Sequence, residues 1–394
     1  MSNDGFKFRP ALLAIGLALI IWFIIPVPAG VKPAAWHLLA LFVGTIAAII
    51  GKVMPIGALA MIAIALVALL GVTSDKPGTA IADALSGFAN PLIWLIGLSI
   101  MISRGLIKTG LGARIGYWFI ALFGRKTIGI GYALSLSELV LAPVTPSNTA
   151  RGGGIMHPIM KSIAISFGST PEQGTEGKIG RYLALVNYHA NPITSAMFIT
   201  ATAPNPLVVK LVAEATGAQI HLSWGTWAIA MLLPGLVAIL LMPLVLAKLY
   251  PPEITDTHAA RDFAQGKLAE LGPVKHSEKI LLGVFGWLLV LWAGVPELAF
   301  GQAFAVDPTA AAVSGLALLL VTGVLSWDEV LAEKGAWDTI TWFAALVMMA
   351  TFLNKMGIVG WLSGSLQGGI KQLGIGWIWS SLLLLLAYLY AHYL

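Results

Sequence analysis

Ala142-Pro143-Val144-Thr145-Pro146-Ser147-Asn148-Thr149-Ala150-Arg151-Gly152-Gly153-Gly154 is the stretch on which the reading of this 394-residue chain turns. It lies inside an apolar run extending from Thr127 to about Phe167. Two prolines, a polar triplet, an arginine and three glycines do not make a continuous lipid-facing helix. Proline removes a backbone donor and clashes with the turn before it, and freed N–H and C=O groups find no water in hydrocarbon. Irregular backbone at that depth is tolerated where it is buried in protein or lines a water-filled cavity. The run is therefore expected to form a helical hairpin over 127–167, its tip at Thr145 to Gly154, dipping in from the cytoplasmic side.

Such a tip suits an anion. The second arm begins there, so backbone amides and the positive end of a helix dipole face the cavity. Ser147, Asn148 and Thr149 add short hydrogen-bonding side chains, and Arg151 adds a permanent charge that an intramembrane site hardly keeps without a partner. Glu138, in the first arm, is the nearest intramembrane acid; pairing with Arg151 and remaining protonated are both open. A plain proline kink with Ser and Thr bonded back to their own helix leaves Arg151 unexplained. A second apolar run, Tyr182 to about Val212, is interrupted at Asn191-Pro192-Ile193-Thr194-Ser195 and at Thr200-Ala201-Thr202-Ala203-Pro204-Asn205-Pro206. Freed carbonyls there offer ligands to a cation, while Thr202 and Asn205 offer hydrogen bonds to a substrate. A kinked helix with satisfied polar residues is the structural alternative.

Outward from these segments the chain is apolar: 58% of residues are hydrophobic and 10% charged, against roughly a quarter charged in soluble domains. Membrane spans of about 20 residues are placed near 9–28, 35–51, 55–73, 90–104, 226–249, 279–295, 308–326 and 338–353, and a last apolar stretch begins at Ile375. The N-terminal run reads as an uncleaved span rather than a signal peptide. Residues 251–278, rich in charge after Pro251-Pro252, read as a cytoplasmic linker between two halves, 1–250 and 279–394. Scaffold helices 9–104, the first hairpin 127–167, the broken helix 182–212 and a closing helix 226–249 make up the first half.

The halves resemble one another. Trp94 through Lys108-Thr109-Gly110-Leu111 has a counterpart in Trp342 through Lys355-Met356-Gly357-Ile358, about 247 residues on. Pro55 through Gly71-Val72 matches Pro308 through Gly323-Val324 at about 252. Arg104, Lys108, Arg114, Arg125 and Lys126 follow the fourth span, against Lys355 and Lys371 in the second copy. By the positive-inside rule the first set is cytoplasmic and the second outside. The N-terminus is then cytoplasmic and the copies are inverted, as in many secondary transporters. The expected fold is an all-α polytopic membrane protein with inverted repeats, re-entrant hairpins and broken helices.

Other classes fit less well. The net charge of +5 comes from basic residues between apolar runs, which speaks for membrane orientation and not nucleic acid. No cysteine is present, and His37, His157 and His189 are dispersed, so no metal or other cofactor is expected. A membrane-embedded hydrolase lacks a Gly-x-Ser-x-Gly elbow and a His-Glu-x-x-His motif, so the chain does not read as an enzyme. An anion channel would need a pore lined by rings of like groups, whereas broken helices in a repeat point to alternating access.

Ile25-Pro26-Val27-Pro28, Trp36-His37, Lys108-Thr109-Gly110-Leu111-Gly112, Leu141 through Gly153 and Ala203-Pro204-Asn205 resemble the divalent anion–sodium symporter family. The branch most similar is that of bacterial citrate or tartrate:succinate exchangers and plastid 2-oxoglutarate/malate exchangers. The resemblance runs the length of the chain and implies a transporter of small di- or tricarboxylates in a bacterial cytoplasmic (inner) membrane. It also implies a homodimeric scaffold, a substrate between two hairpin tips, and elevator-type movement. Carried over, Ser147, Asn148 and Thr149 form the first tip, binding a carboxylate and bordering a cation site. Ser195, Ala196 and Met197 close that site, and Thr202, Pro204 and Asn205 lie beside the substrate. Sodium-coupled members of the family have no arginine after the triplet. Arg151 thus implies a fixed countercharge in place of sodium, and exchange rather than symport; a sodium-coupled symporter, with sodium as coupling ion, is the alternative. Ser147 offset by about 247 falls at Leu394, so the second tip is expected beyond it. The second repeat therefore reads as C-terminally incomplete.

Overall fold

The computed structural model describes residues 5–145, 147–202, 204–216, 219–220 and 222–392. Pro146 and Ala203 of the two motifs, and Tyr393 and Leu394, lie outside the described residues. Among the described residues the chain is helical with no β-strand, as an all-α membrane protein requires. Among the described residues five helices are long and apolar enough to cross a membrane: Pro33–Ile50, Pro91–Thr109, Thr127–Val144, Trp224–Leu249 and Lys334–Lys355.

The chain divides into two compact units, 1–90 with 338–394, and 91–337. The first unit contains α1 (Phe8–Leu19), α2 (Pro33–Ile50), α3 (Ile56–Leu69) and α4 (Pro77–Leu85). Helix α1 runs on as a π-helical turn, Ile20–Ile24, whose Ile21 carbonyl accepts from Trp36 Nε1 at 2.9 Å. Ala35, Leu38, Ala40, Ala60, Ala63 and Val67 form its core with Ala345, Met348 and Met349.

The second unit contains α5 (Pro91–Thr109), α6 (Leu111–Phe123), α7 (Thr127–Leu141), α8 (His157–Ser166), α9 (Gly180–Met197), α10 (Pro204–Ala215), α11 (Trp224–Leu249), α12 (His258–Leu271), α13 (His276–Trp292), α14 (Val295–Phe300), α15 (Pro308–Val321) and α16 (Trp327–Leu331). Helix α17 (Lys334–Lys355) begins there and continues in the first unit, where α18 (Ile358–Gln372) and α19 (Trp377–His392) follow.

The sequence repeat reappears as repeated local structure. Gly71 and Gly323, its matched glycines, have φ of +60° and +71°, and Gly110 and Gly357 have +82° and +91°. Each value lies in the left-handed region that favours glycine, and each ends a helix at the same place in its copy. The units do not coincide with the copies, however. Helices α3 and α4 fold with α17, whereas α15 and α16 fold with α5. The start of α3 meets the start of α17, a Cβ on Gly57 falling 2.2 Å from Asp338 Oδ1. Likewise the start of α15 meets the start of α5, Thr309 Oγ1 donating to the Pro91 carbonyl at 3.1 Å.

The hydrophilic stretch 251–278 folds around a helix, α12. Helix α12 packs on α6 with Ala260 and Ala264 fully buried. Thr257 N donates to the Arg125 carbonyl at 2.9 Å, and its hydroxyl to the Gly124 carbonyl at 2.9 Å. Arg114 donates to the Gly272 carbonyl just past the C-terminus of α12, where a cation is favoured, and to both oxygens of Glu278 at 2.8 and 3.1 Å.

Candidate functional site

Helix α7 ends at Leu141 and passes through a 3-10 turn, Ala142–Val144. The second arm starts as a π-helical stretch, Thr149–Met156, and becomes α8. That the chain folds back at the tip follows from one contact. Glu138 and Arg151 would lie almost 20 Å apart on a continuous helix at about 1.5 Å per residue, yet Arg151 Nε donates to Glu138 Oε2 at 2.5 Å.

Arg151 is 0% exposed, and its five N–H groups all have acceptors. Besides Glu138, Nη1 donates to the carbonyls of Thr145 (2.8 Å) and Ala201 (3.2 Å). Nη2 donates to Ser195 Oγ (2.8 Å) and Thr194 Oγ1 (3.4 Å). Glu138 is thus the acid that meets Arg151, both side chains being fully buried. Arg151 therefore does not present an open charge to a cavity. Its guanidinium plane is used up in joining the first arm, the tip and the second interrupted helix.

The second interruption differs from the sequence reading in position. Helix α9 continues through Pro192 and stops at Met197. Proline costs one hydrogen bond at that turn, and the helix is held on both sides by close packing. A Cβ on Gly131 of α7 would fall 2.5 Å from Tyr182 Oη, and one on Gly235 of α11 would fall 2.4 Å from Met197. The real break is extended backbone at Phe198 and Thr202 around a 3-10 turn, Ile199–Ala201. It lies against the break in the hairpin: Thr200 Oγ1 donates to the Pro143 carbonyl at 2.6 Å.

Apart from Met197 and Pro204, the sequence-derived residues fall into one hydrogen-bonded network with distinct parts. At the tip, Asn148 Oδ1 accepts from Thr149 N at 2.9 Å and Ser147 Oγ from Ala150 N at 3.1 Å. Those first amides of the second arm are thus capped by their own triplet rather than left open. The same bonds orient the side chains, leaving the Asn148 NH₂ and the Ser147 hydroxyl proton as donors, the polarity a carboxylate requires. Ser147 and Asn148 are half-buried, and Thr149 is exposed. The Asn148 carbonyl accepts from Asn191 Nδ2 at 3.0 Å, and that amide also faces Glu138.

The proposed cation ligands already carry protein donors. Ser195 Oγ holds Arg151, the Ser195 carbonyl accepts from Asn205 Nδ2 at 2.8 Å, and the Ala196 carbonyl from Trp227 Nε1 at 2.9 Å. Met197 is a buried packing residue against Gly235. Asn205 gives its second N–H to the Phe198 carbonyl at 2.9 Å, so only its Oδ1 acceptor remains for a ligand. Thr202 is half-buried and Pro204 exposed at the start of α10. Asn191, Thr194 and Thr200 also belong to this network, though pattern reading did not single them out. Each is small and polar within two residues of a proline or another threonine, and only the folded contacts separate it from its neighbours.

The family model described as the sodium:sulfate symporter transmembrane region matches residues 7–394. YflS of Bacillus subtilis (strain 168), named as a candidate malate transporter, is 50% identical over 96% of this chain and 75% of its own. Dicarboxylate transporter 1 of Spinacia oleracea, chloroplastic, is 43% identical over 99% of this chain and 66% of its own. The L-tartrate/succinate antiporter of Escherichia coli O6:K15:H31 is 36% identical over 93% and 76%. The chain thus spans about two thirds to three quarters of the length of these relatives. These are membrane transport proteins and not enzymes, and the chain belongs to the sodium:sulfate symporter transmembrane family.

Proposed function

We propose that this protein is a secondary transporter that exchanges di- or tricarboxylate anions across the cytoplasmic membrane, with Ser147, Asn148 and Thr149 meeting one substrate carboxylate. The observation that carries the reading is the environment of Arg151. Its guanidinium holds two carbonyls, Thr145 and Ala201, and two hydroxyls, Thr194 and Ser195. Those oxygens are the hard ligands that a sodium ion takes, and a built-in cation on them removes the need for a bound one. Relatives named as dicarboxylate transporters and as a tartrate/succinate antiporter support the substrate class and the exchange mode. In this reading the N-terminus is cytoplasmic, the two repeats are inverted, and the half-site described here is completed by a second hairpin. A homodimeric scaffold supports elevator-type movement of the site. The test is counterflow in proteoliposomes: labelled succinate should enter only when the lumen holds a dicarboxylate. Entry driven by a sodium gradient into empty vesicles would instead favour the symport suggested by the family's description.

A further inference from the structure

We infer that Glu138 is a positioning residue whose carboxylate cancels the charge of Arg151, so that the pair fixes the hairpin tip against the second break while giving the site no net charge of its own. The inference rests on the transport reading above and adds what that site does electrostatically. Both side chains are 0% exposed. Among the described residues their other hydrogen-bond partners are neutral: the Asn191 amide and Thr194 hydroxyl on the carboxylate, and two carbonyls and two hydroxyls on the guanidinium.

A buried charge without its partner is strongly unfavourable, whereas a buried pair replaced by neutral groups of similar shape is often tolerated. The pair also spans four pieces of chain: α7, the tip at Thr145, α9, and the 3-10 turn at Ala201. Its effect on a substrate is therefore geometric, through Asn191, which bonds both Glu138 and the Asn148 carbonyl. The attraction for the anion is left to neutral donors such as the Ser147 hydroxyl and the Asn148 amide. Glu138→Gln would break that balance and expose one unit of positive charge to the substrate.

The test uses the full-length protein as Glu138→Gln, Arg151→Gln and the double variant, with two readouts. The first is the KM for labelled citrate relative to labelled succinate during exchange near neutral pH. Glu138→Gln should favour the more highly charged citrate by about tenfold, the effect of one partly screened unit charge. Arg151→Gln should shift the ratio the other way, and the double variant should return it to the wild-type value. The second readout, the thermal midpoint in detergent, should fall in each single variant and recover in the double. A double variant no better than Arg151→Gln in both readouts would overturn the inference, as would an unmoved citrate-to-succinate ratio in an active Glu138→Gln protein. If wild-type protein exchanges no dicarboxylate, the transport reading falls. The midpoints alone then decide the pairing, and a double variant as unstable as the singles refutes it.

Discussion

Gly152→Ala, with Gly153→Ala as its neighbour control, probes the tip at the level of single atoms. A Cβ on Gly152 would fall 2.6 Å from Asn191 Nδ2, 3.1 Å from Asn191 Cγ and 3.3 Å from Glu138 Oε1. An ordinary contact is at least about 3.5 Å, so the Asn191 amide must retreat by most of an ångström. That movement breaks its bonds to Glu138 and the Asn148 carbonyl. Overpacking costs about 1–3 kcal/mol and a lost hydrogen bond about 1 kcal/mol, against about 1 kcal/mol gained by replacing glycine in a helix. With two bonds lost, the net expectation is a loss of about 3 kcal/mol. At Gly153 a Cβ meets nothing within 4 Å, so Gly153→Ala should leave stability unchanged or raise it by up to about 1 kcal/mol. Thermal midpoints of purified protein and initial rates of succinate counterflow read both effects. Gly152→Ala should lower both; Gly153→Ala should lower neither. Equal tolerance at the two positions would refute the packing of the tip on α9.

Ser147→Ala and Asn148→Ala should each raise the KM for succinate and destabilise the protein by about 1 kcal/mol through lost capping; unchanged KM in both would remove the triplet from the substrate site. Asn205→Ala orphans the Ser195 and Phe198 carbonyls and should cost about 1–3 kcal/mol, seen as a lower thermal midpoint, while Asn205→Asp, lacking the two N–H donors, should be no better. Glu278 stands at the start of α13, outside the apolar span. Burial pushes its carboxyl up, but the hydrogen bonds of Arg114 and of the Lys275 amide, with both cations' charge, outweigh that and hold it below its usual 4.5. Its contribution is therefore present above pH 4.5 and is lost as pH falls through the lowered value. The midpoint gap between wild type and Glu278→Gln should be open at neutral pH and close on acidification.

The parts of the fold that were legible in the sequence are those where one residue type has one physical consequence. Proline, an arginine and three glycines inside an apolar run specify a broken, internally buried segment, and the hairpin tip lies where they stand. The matched glycines after Lys108 and Lys355 mark helix ends because the backbone there is left-handed. Other features depend on contacts that no local pattern encodes. Pro192 promises a break, yet α9 continues, because α7 and α11 clamp it on both faces. The charged composition of 251–278 marks a linker but not its structure, in which Ala260 and Ala264 give α12 a narrow face that fits α6. Arg151 announces itself as a charge needing a partner, but Glu138, thirteen residues away, and the oxygens of α9 and Ala201 become its partners only through the fold. The regrouping of α17 with α3 and α4 is likewise a long-range pairing, invisible to comparison of the copies along the chain.

The most direct test of the central claim is uptake of labelled succinate by proteoliposomes holding the full-length protein, with and without luminal dicarboxylate and with and without external sodium. The account predicts uptake that requires luminal dicarboxylate and is indifferent to sodium, because Arg151 already occupies the oxygens a coupling cation would use. Uptake into empty vesicles that follows a sodium gradient would contradict it.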